Sequence, residues 1–155
     1  MAKPPVADNA PDDGELRFRR MPGNHVRRLH QVAGALFAGA LESCDITPVQ
    51  YAALAALERR GPMSQAALSG LIACDRATLG GVVDRLEAKG WLERSSDPAD
   101  RRLRVLVLTT AGRKLLRKAH PRVRRVQEAL LKPLDPAERG EFARLCLKLL
   151  AHHEA

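Results

Sequence analysis

Asp100, Arg101, Arg102 and Arg104 stand almost side by side in SSDPADRRLRVLVLTTAG, the run from Ser95 to Gly112. Guanidiniums packed that densely are not tolerated unpaired in a core, so they face solvent or a phosphate-rich partner whose geometry their planar fork matches. A second set lies upstream. Arg76, Thr78 and Arg85 flank the small residues Ala77, Gly80 and Gly81, with Asp84 among them. Arginine reads guanine bidentately, hydroxyls bond bases or phosphates, and glycines let a backbone come close to its ligand. Both sets suit a grooved polyanion. The plainer readings are a charged hairpin tip that keeps an edge strand soluble, and a glycine pair that packs against a neighbouring helix.

The elements that must hold these residues are legible around them. Trp91, Leu92 and Glu93 start one strand, the β-branched apolar run from Val105 to Thr109 forms another, and Asp97 and Pro98 supply turn chemistry between them. The arginines therefore fall at the tip of a two-stranded ribbon. Upstream, Ser64 follows Gly61 and Pro62 as an N-cap, and Ala67, Leu68, Leu71 and Ile72 make one stripe of a helix over about 64–73. Asp75 caps a second helix in which Leu79, Val82, Val83 and Leu86 recur at i, i+3, i+4 and i+7, and Gly90 ends it. Helix, tight turn, helix and basic hairpin is the order of parts in a winged helix-turn-helix, whose second helix enters the major groove. Ser64, Gln65 and Asp75 accordingly join Arg76, Ala77, Thr78, Gly80, Gly81, Asp84, Arg85 and the ribbon residues as candidate DNA contacts.

Composition agrees. The 155 residues, 45% of them apolar, fill the core of one domain, and a net charge of +8 points to a polyanionic partner rather than an acidic substrate. The excess lies in the ribbon and in Arg113, Lys114, Arg117, Lys118, Arg122, Arg124 and Arg125. With no run of about 18 apolar residues and no signal peptide, the expectation is a cytoplasmic protein without membrane contact.

Residues 1–20 mix prolines with Asp8, Asp12, Asp13 and Glu15 and read as a flexible tail, ahead of a single domain over 21–155. Val26, Leu29, Ala33, Leu36, Phe37, Ala40 and Leu41 form a helical stripe, with Asn24 as its expected cap and Pro22 and Gly23 setting its start. Thr47, Pro48 and Gln50 open another helix through Arg60 by a capping box, with Tyr51, Leu54, Ala55 and Leu57 inward. Past the ribbon, Leu115, Leu116, Val123, Val126, Leu130 and Leu131 mark a long helix that Pro121 should kink. Asp135 and Pro136 start a last helix whose Phe142, Leu145, Leu149 and Leu150 stay exposed unless a partner covers them. The fold class is mainly α with a small β-wing: a winged helix-turn-helix region over 47–110, with dimerisation helices over 21–44 and 111–155. A homodimer would read two half-sites of a pseudo-palindromic duplex, about 34 to 36 Å apart.

The chain resembles the MarR family of winged-helix transcriptional regulators from about residue 20 onward. The resemblance rests on Asp100, Arg101 and Arg102 followed by Leu108, Thr109 and Gly112, and on the run Asp84, Arg85, Leu86, Glu87, Lys89, Gly90. It implies that Asp100 braces the wing by pairing with Arg102, that Arg102 enters the minor groove, and that terminal helices of two subunits interdigitate. A narrow, electronegative minor groove suits arginine on physical grounds as well. It further implies repression, relieved when a small aromatic acid binds between the dimer helices and the winged helix. Arg20, His25, Arg28, His30, Phe37 and Tyr51 are the candidate effector contacts, since an arginine beside an imidazole and an aromatic ring suits a hydroxybenzoate or pyridine carboxylate.

Cys44, Cys74 and Cys146 fit a reducing compartment rather than a disulfide framework. Cys74 directly precedes the recognition helix, whose positive end favours a thiolate, so a redox-responsive regulator is an alternative. The family's peroxide-sensing thiol lies near the chain start, where this sequence has none. A nonspecific, architectural DNA-binding protein is the other alternative. Neither cofactor nor metal is expected, because His152 and His153 lack further ligand spacing. An enzyme is not expected either, in the absence of a Gly-rich phosphate loop, nucleophile elbow or closely spaced Cys and His pair.

Overall fold

Caps set most of the helix boundaries. In the computed structural model, which describes residues 17–97, 100 and 102–153, α1 spans Pro22–Leu41, α2 Pro48–Arg60, α3 Gln65–Leu71, α4 Arg76–Ala88, β1 Leu92–Ser96, β2 Arg104–Leu108, α5 Thr110–Leu130 and α6 Pro136–His153. Thr47 accepts from the Gln50 amide while the Gln50 side chain accepts from the Thr47 amide, which completes the expected capping box at α2. Ser64 accepts from Ala67 N at 3.2 Å and Asp75 from Thr78 N at 2.9 Å. Asp135 and Glu138 cap α6 reciprocally, at 2.9 and 2.8 Å.

Trp91 and Thr109, expected within the strands, lie just outside β1 and β2, and Thr109 caps α5 instead; three further boundaries differ from the sequence expectation. Met21, not Asn24, is the N-cap of α1. Asn24 lies inside the helix, buried, where its Oδ1 accepts from Arg27 Nη2 at 2.8 Å. Residues 17–19, expected in the tail, form a helical turn; residues 1–16 of that tail lie outside the described residues. The helix expected to reach residue 73 stops at Leu71, because Ala73 takes a positive φ of 49° that no helix continues, and Leu71 points outward. Pro121, expected to kink α5, lies inside a helix that continues from Thr110 to Leu130.

β1 and β2 pair antiparallel with Leu92 opposite Leu108 and Ser96 opposite Arg104. Met63 adds a bridge on the far side of β2, exchanging bonds with Leu106. Leu92, Leu106 and Leu108 face inward and close one core with Leu54 and Leu57 of α2, Leu68 of α3, Leu79, Val82, Val83 and Leu86 of α4 and Leu116 of α5. That core fixes the ribbon beside α4. A second cluster, Leu41, Cys44, Ile46 and Ala119 with Phe37, Tyr51, Trp91, Leu115 and Val123 against it, joins α1 and α5 to the winged helix. Among the described residues no single helix is long and apolar enough to cross a membrane.

Candidate nucleic-acid interface

The face of α4 opposite its buried leucines and valines carries the candidate contacts. Arg76, Ala77, Thr78, Asp84 and Arg85 are exposed, and Gly80 and Gly81 lie between them. Ser64 caps α3 and Gln65 opens it, with Gln65 Nε2 only 3.7 Å from where a Cβ on Gly80 would stand, so α3 borders the same face. The Thr78 hydroxyl foremost, then the Thr78 main-chain N–H at 2.9 Å, hold the Asp75 carboxyl below the ordinary range and keep the cap ionised.

The glycine pair has no packing reason. Around Gly80 and Gly81 a Cβ would find only Gln65 Nε2 at 3.7 Å and the Arg85 guanidinium at 3.5 Å, both ordinary contacts with flexible side chains. Glycine costs a helix about 1 kcal/mol relative to alanine, so Gly80→Ala and Gly81→Ala should each raise the melting temperature while weakening duplex binding. Thermal denaturation beside a gel shift checks this. Destabilised variants would show that the small residues serve the fold instead.

At the ribbon tip Arg102 is exposed and Arg104 sits on the outer edge of β2, while Arg101 lies outside the described residues, as does Pro98 of the expected turn. Asp100 does brace Arg102, but through the main chain: its Oδ1 accepts from Arg102 N at 2.9 Å. The loop closes by Asp97 N to Leu103 O and Leu103 N to Asp100 O, both 2.9 Å, which leaves the Arg102 side chain free to reach outward.

Three polar contacts were not readable in the sequence. Arg94 of β1 bonds Asp84 at 2.6 Å and Glu87, both on α4. Lys89, at the end of α4, bonds Asp45 Oδ2 at 2.6 Å and Asp45 O at 2.8 Å and lies 4.6 Å above the Trp91 ring, tying the recognition helix to the turn before α2. His120 of α5 lies between Tyr51 and Glu58 of α2, 3.0 Å from the Tyr51 hydroxyl at Nδ1 and 2.7 Å from Glu58 at Nε2. In the tautomer with the hydrogen on Nε2, the ring donates to Glu58 and accepts from Tyr51 at Nδ1. Burial, then the Glu58 charge, raise the Tyr51 pKa, so its hydroxyl stays protonated as that donor requires.

The six candidate effector residues do not gather in one place. His25 and Arg28 line a groove of about 470 Å³ with Leu29 and Val32. His30 lines a larger apolar groove of about 740 Å³ between α1, the end of α5 and α6. Phe37 and Tyr51 pack against the second core cluster, and Arg20 is exposed ahead of α1. Cys44 is buried, Cys74 and Cys146 are half-buried, and all three are free thiols. Among the described residues no group of three or more His, Cys, Asp or Glu side chains could hold a metal.

The sequence model of the MarR family matches residues 46–103. The HTH-type transcriptional repressor NicR of Pseudomonas putida is 33% identical over 157 residues, covering 99% of this chain and 98% of NicR. Among solved structures, BpsR of Bordetella bronchiseptica, whose DNA binding is regulated by 6-hydroxynicotinic acid, superposes with a TM-score of 0.81 at 33% identity over 85% of this chain and 94% of its own. A cysteine-to-serine mutant of MarR from E. coli, solved with operator DNA, superposes with a TM-score of 0.78 at 26% identity over 91% of this chain and 99% of its own.

Proposed function

Because this chain belongs to the MarR family of DNA-binding transcription regulators, we propose that it acts as a homodimeric repressor that releases a pseudo-palindromic operator when a small aromatic carboxylic acid binds. The observation that carries the reading is the face of α4, capped by Asp75 and small at its centre, set beside a ribbon whose tip presents Arg102. A helix of that kind fits a major groove and an arginine-tipped ribbon the neighbouring minor groove. Residues 47–110 form the DNA-binding region, with contacts from Ser64, Gln65, Arg76, Thr78, Arg85 and the ribbon arginines. Residues 21–44 and 111–155 form the dimer arms, a division supported by the exposed apolar faces of α1 and α6.

For the effector, the His25 and Arg28 groove has the right chemistry: a guanidinium for a carboxylate, an imidazole for a ring substituent, and Leu29 and Val32 for the ring face. The acid that acts on BpsR, 6-hydroxynicotinic acid, is the first to try.

The test is a gel shift on duplex selected by the chain from a randomised library, with hydroxybenzoates and pyridine carboxylates added one at a time. We expect release by one acid, and a shift of about tenfold or more in the concentration needed for release when Arg28 becomes alanine, because one charge-assisted pair is lost. Equal affinity for random duplex would overturn the specific-repressor reading. Release that Arg28→Ala leaves unchanged would move the effector elsewhere.

A further inference from the structure

Asp84 is oddly placed for a residue on a DNA-reading helix. With Leu79, Val82, Val83 and Leu86 buried on one side of α4, a turn of about 100° per residue sets Ala77, Gly81, Asp84 and Ala88 on the opposite side. Asp84 thus occupies the middle of the face expected to meet DNA, and Glu87 stands on the same helix toward the ribbon. Two carboxylates there would repel the phosphates that the surrounding arginines attract.

Arg94 meets both. Its Nη2 bonds Asp84 Oδ1 at 2.6 Å, its Nη1 pairs with Glu87 Oε2, and its main-chain N–H donates to Glu87 Oε1 at 3.2 Å. The Asp84 bond foremost, with the Glu87 charge, raises the guanidinium pKa, so the ionised form is the one the site holds. A guanidinium spanning two carboxylates from a fixed fork is committed to them, and so is not a free phosphate contact.

We propose that Arg94 is a positioning residue for DNA binding: it cancels the charge of Asp84 and Glu87 at the DNA-facing surface and fixes the base of the arginine-tipped ribbon against the recognition helix. This inference rests on the DNA-binding reading above. Arg94→Ala removes the guanidinium from both carboxylates, leaving Asp84 bare and Glu87 with only the main-chain N–H of residue 94, and the ribbon held by that bond, the Met63 bridge and its core leucines. Arg94→Lys keeps the charge but cannot bridge both partners at once.

Two measurements test it: affinity for the duplex the wild-type chain selects, and, independently of any operator, the salt concentration at which each variant leaves a heparin column. At low salt Arg94→Ala should bind about tenfold or more weakly and elute earlier, the size expected for like charges set against each other. Adding Asp84→Asn and Glu87→Gln to that variant should restore affinity to within about threefold of wild type. Neutralising two exposed carboxylates on other elements, Glu42→Gln and Glu128→Gln, in the same background should restore much less. Arg94→Lys should fall between wild type and alanine. Circular dichroism and melting curves confirm that each variant is folded. An undiminished Arg94→Ala, failure of the Asp84 and Glu87 pair to rescue, or equal rescue by the remote pair would each overturn the proposal. If the wild type holds heparin but selects no duplex, the specific-repressor reading fails, and the heparin series still judges Arg94.

Discussion

Replacing Leu145 and Leu149 of α6 with glutamate is expected to give a folded monomer that binds its operator about 10² to 10⁴ times more weakly than the wild type, the range over which joining two binding modules raises avidity. The argument starts from what α6 lacks. None of its residues is buried, and Leu145, Leu147, Leu149 and Leu150 are 44, 67, 60 and 52% exposed. Covering a leucine is worth about 1.5 to 3 kcal/mol, so a helix of this composition left in water forgoes most of what its sequence offers. Across from it, Val26 and Leu29 of α1 are also exposed, and the groove of about 740 Å³ between them is walled almost wholly by apolar side chains. In the homodimer proposed above, a second copy of the same helices would fill such a groove with like surfaces, as a two-fold interface requires. Neither core cluster includes a residue of α6, so the double variant keeps its fold. Light scattering after size exclusion reads the mass and a gel shift reads the affinity. A variant that stays dimeric, or a monomer that binds undiminished, would remove α6 from the interface or the dimer from the mechanism.

What the sequence disclosed and what it hid divide along the distance between partners. Thr47 with Gln50, Ser64 with Ala67 and Asp75 with Thr78 are contacts over three residues, dictated by the orphan amides of a helix start, and spacing alone identifies them. The buried stripe of α4 is legible for the same reason, since helical periodicity is local. Arg94 with Asp84, Lys89 with Asp45 and His120 with Tyr51 are not, because the residues between them in sequence must first fold to bring them together. The effector residues suffered most. His25, Arg28 and His30 share one helix, and only the placement of α5 and α6 decides that His30 turns to the wide apolar groove while His25 and Arg28 turn to another. Asn24 has the right composition for a cap, yet Pro22 and Gly23 extend the helix past it and its side chain serves Arg27.

Gly112 shows a motif residue whose type is legible and whose reason is not, and Gly112→Ala is the second variant with a large expected effect. Its position in the first turn of α5 looks like an ordinary helix site that alanine would improve. The structure reverses that expectation: a Cβ there would lie 2.1 Å from the carbonyl oxygen of Trp91 and 2.6 Å from Leu108 Cδ1. Leu108 can rotate, but the Trp91 carbonyl cannot, because it accepts from Thr109 N at 3.2 Å while the Thr109 hydroxyl donates to Gly90 O at 2.7 Å and accepts from Gly112 N at 3.1 Å. The end of the recognition helix, the first strand of the ribbon and the start of α5 meet at this junction. Making room for one methyl therefore shifts all three, at a cost of about 3 kcal/mol or a fall of about 10 °C in melting temperature, and the α4 and ribbon geometry that DNA reads shifts with them. Gly140→Ala in α6 is the matched control: nothing lies within 4 Å of its Cβ, so the same change there should be neutral or stabilising by up to about 1 kcal/mol. If Gly112→Ala melts no lower than Gly140→Ala, the close approach of α5 to Trp91 is not what holds the wing to the recognition helix.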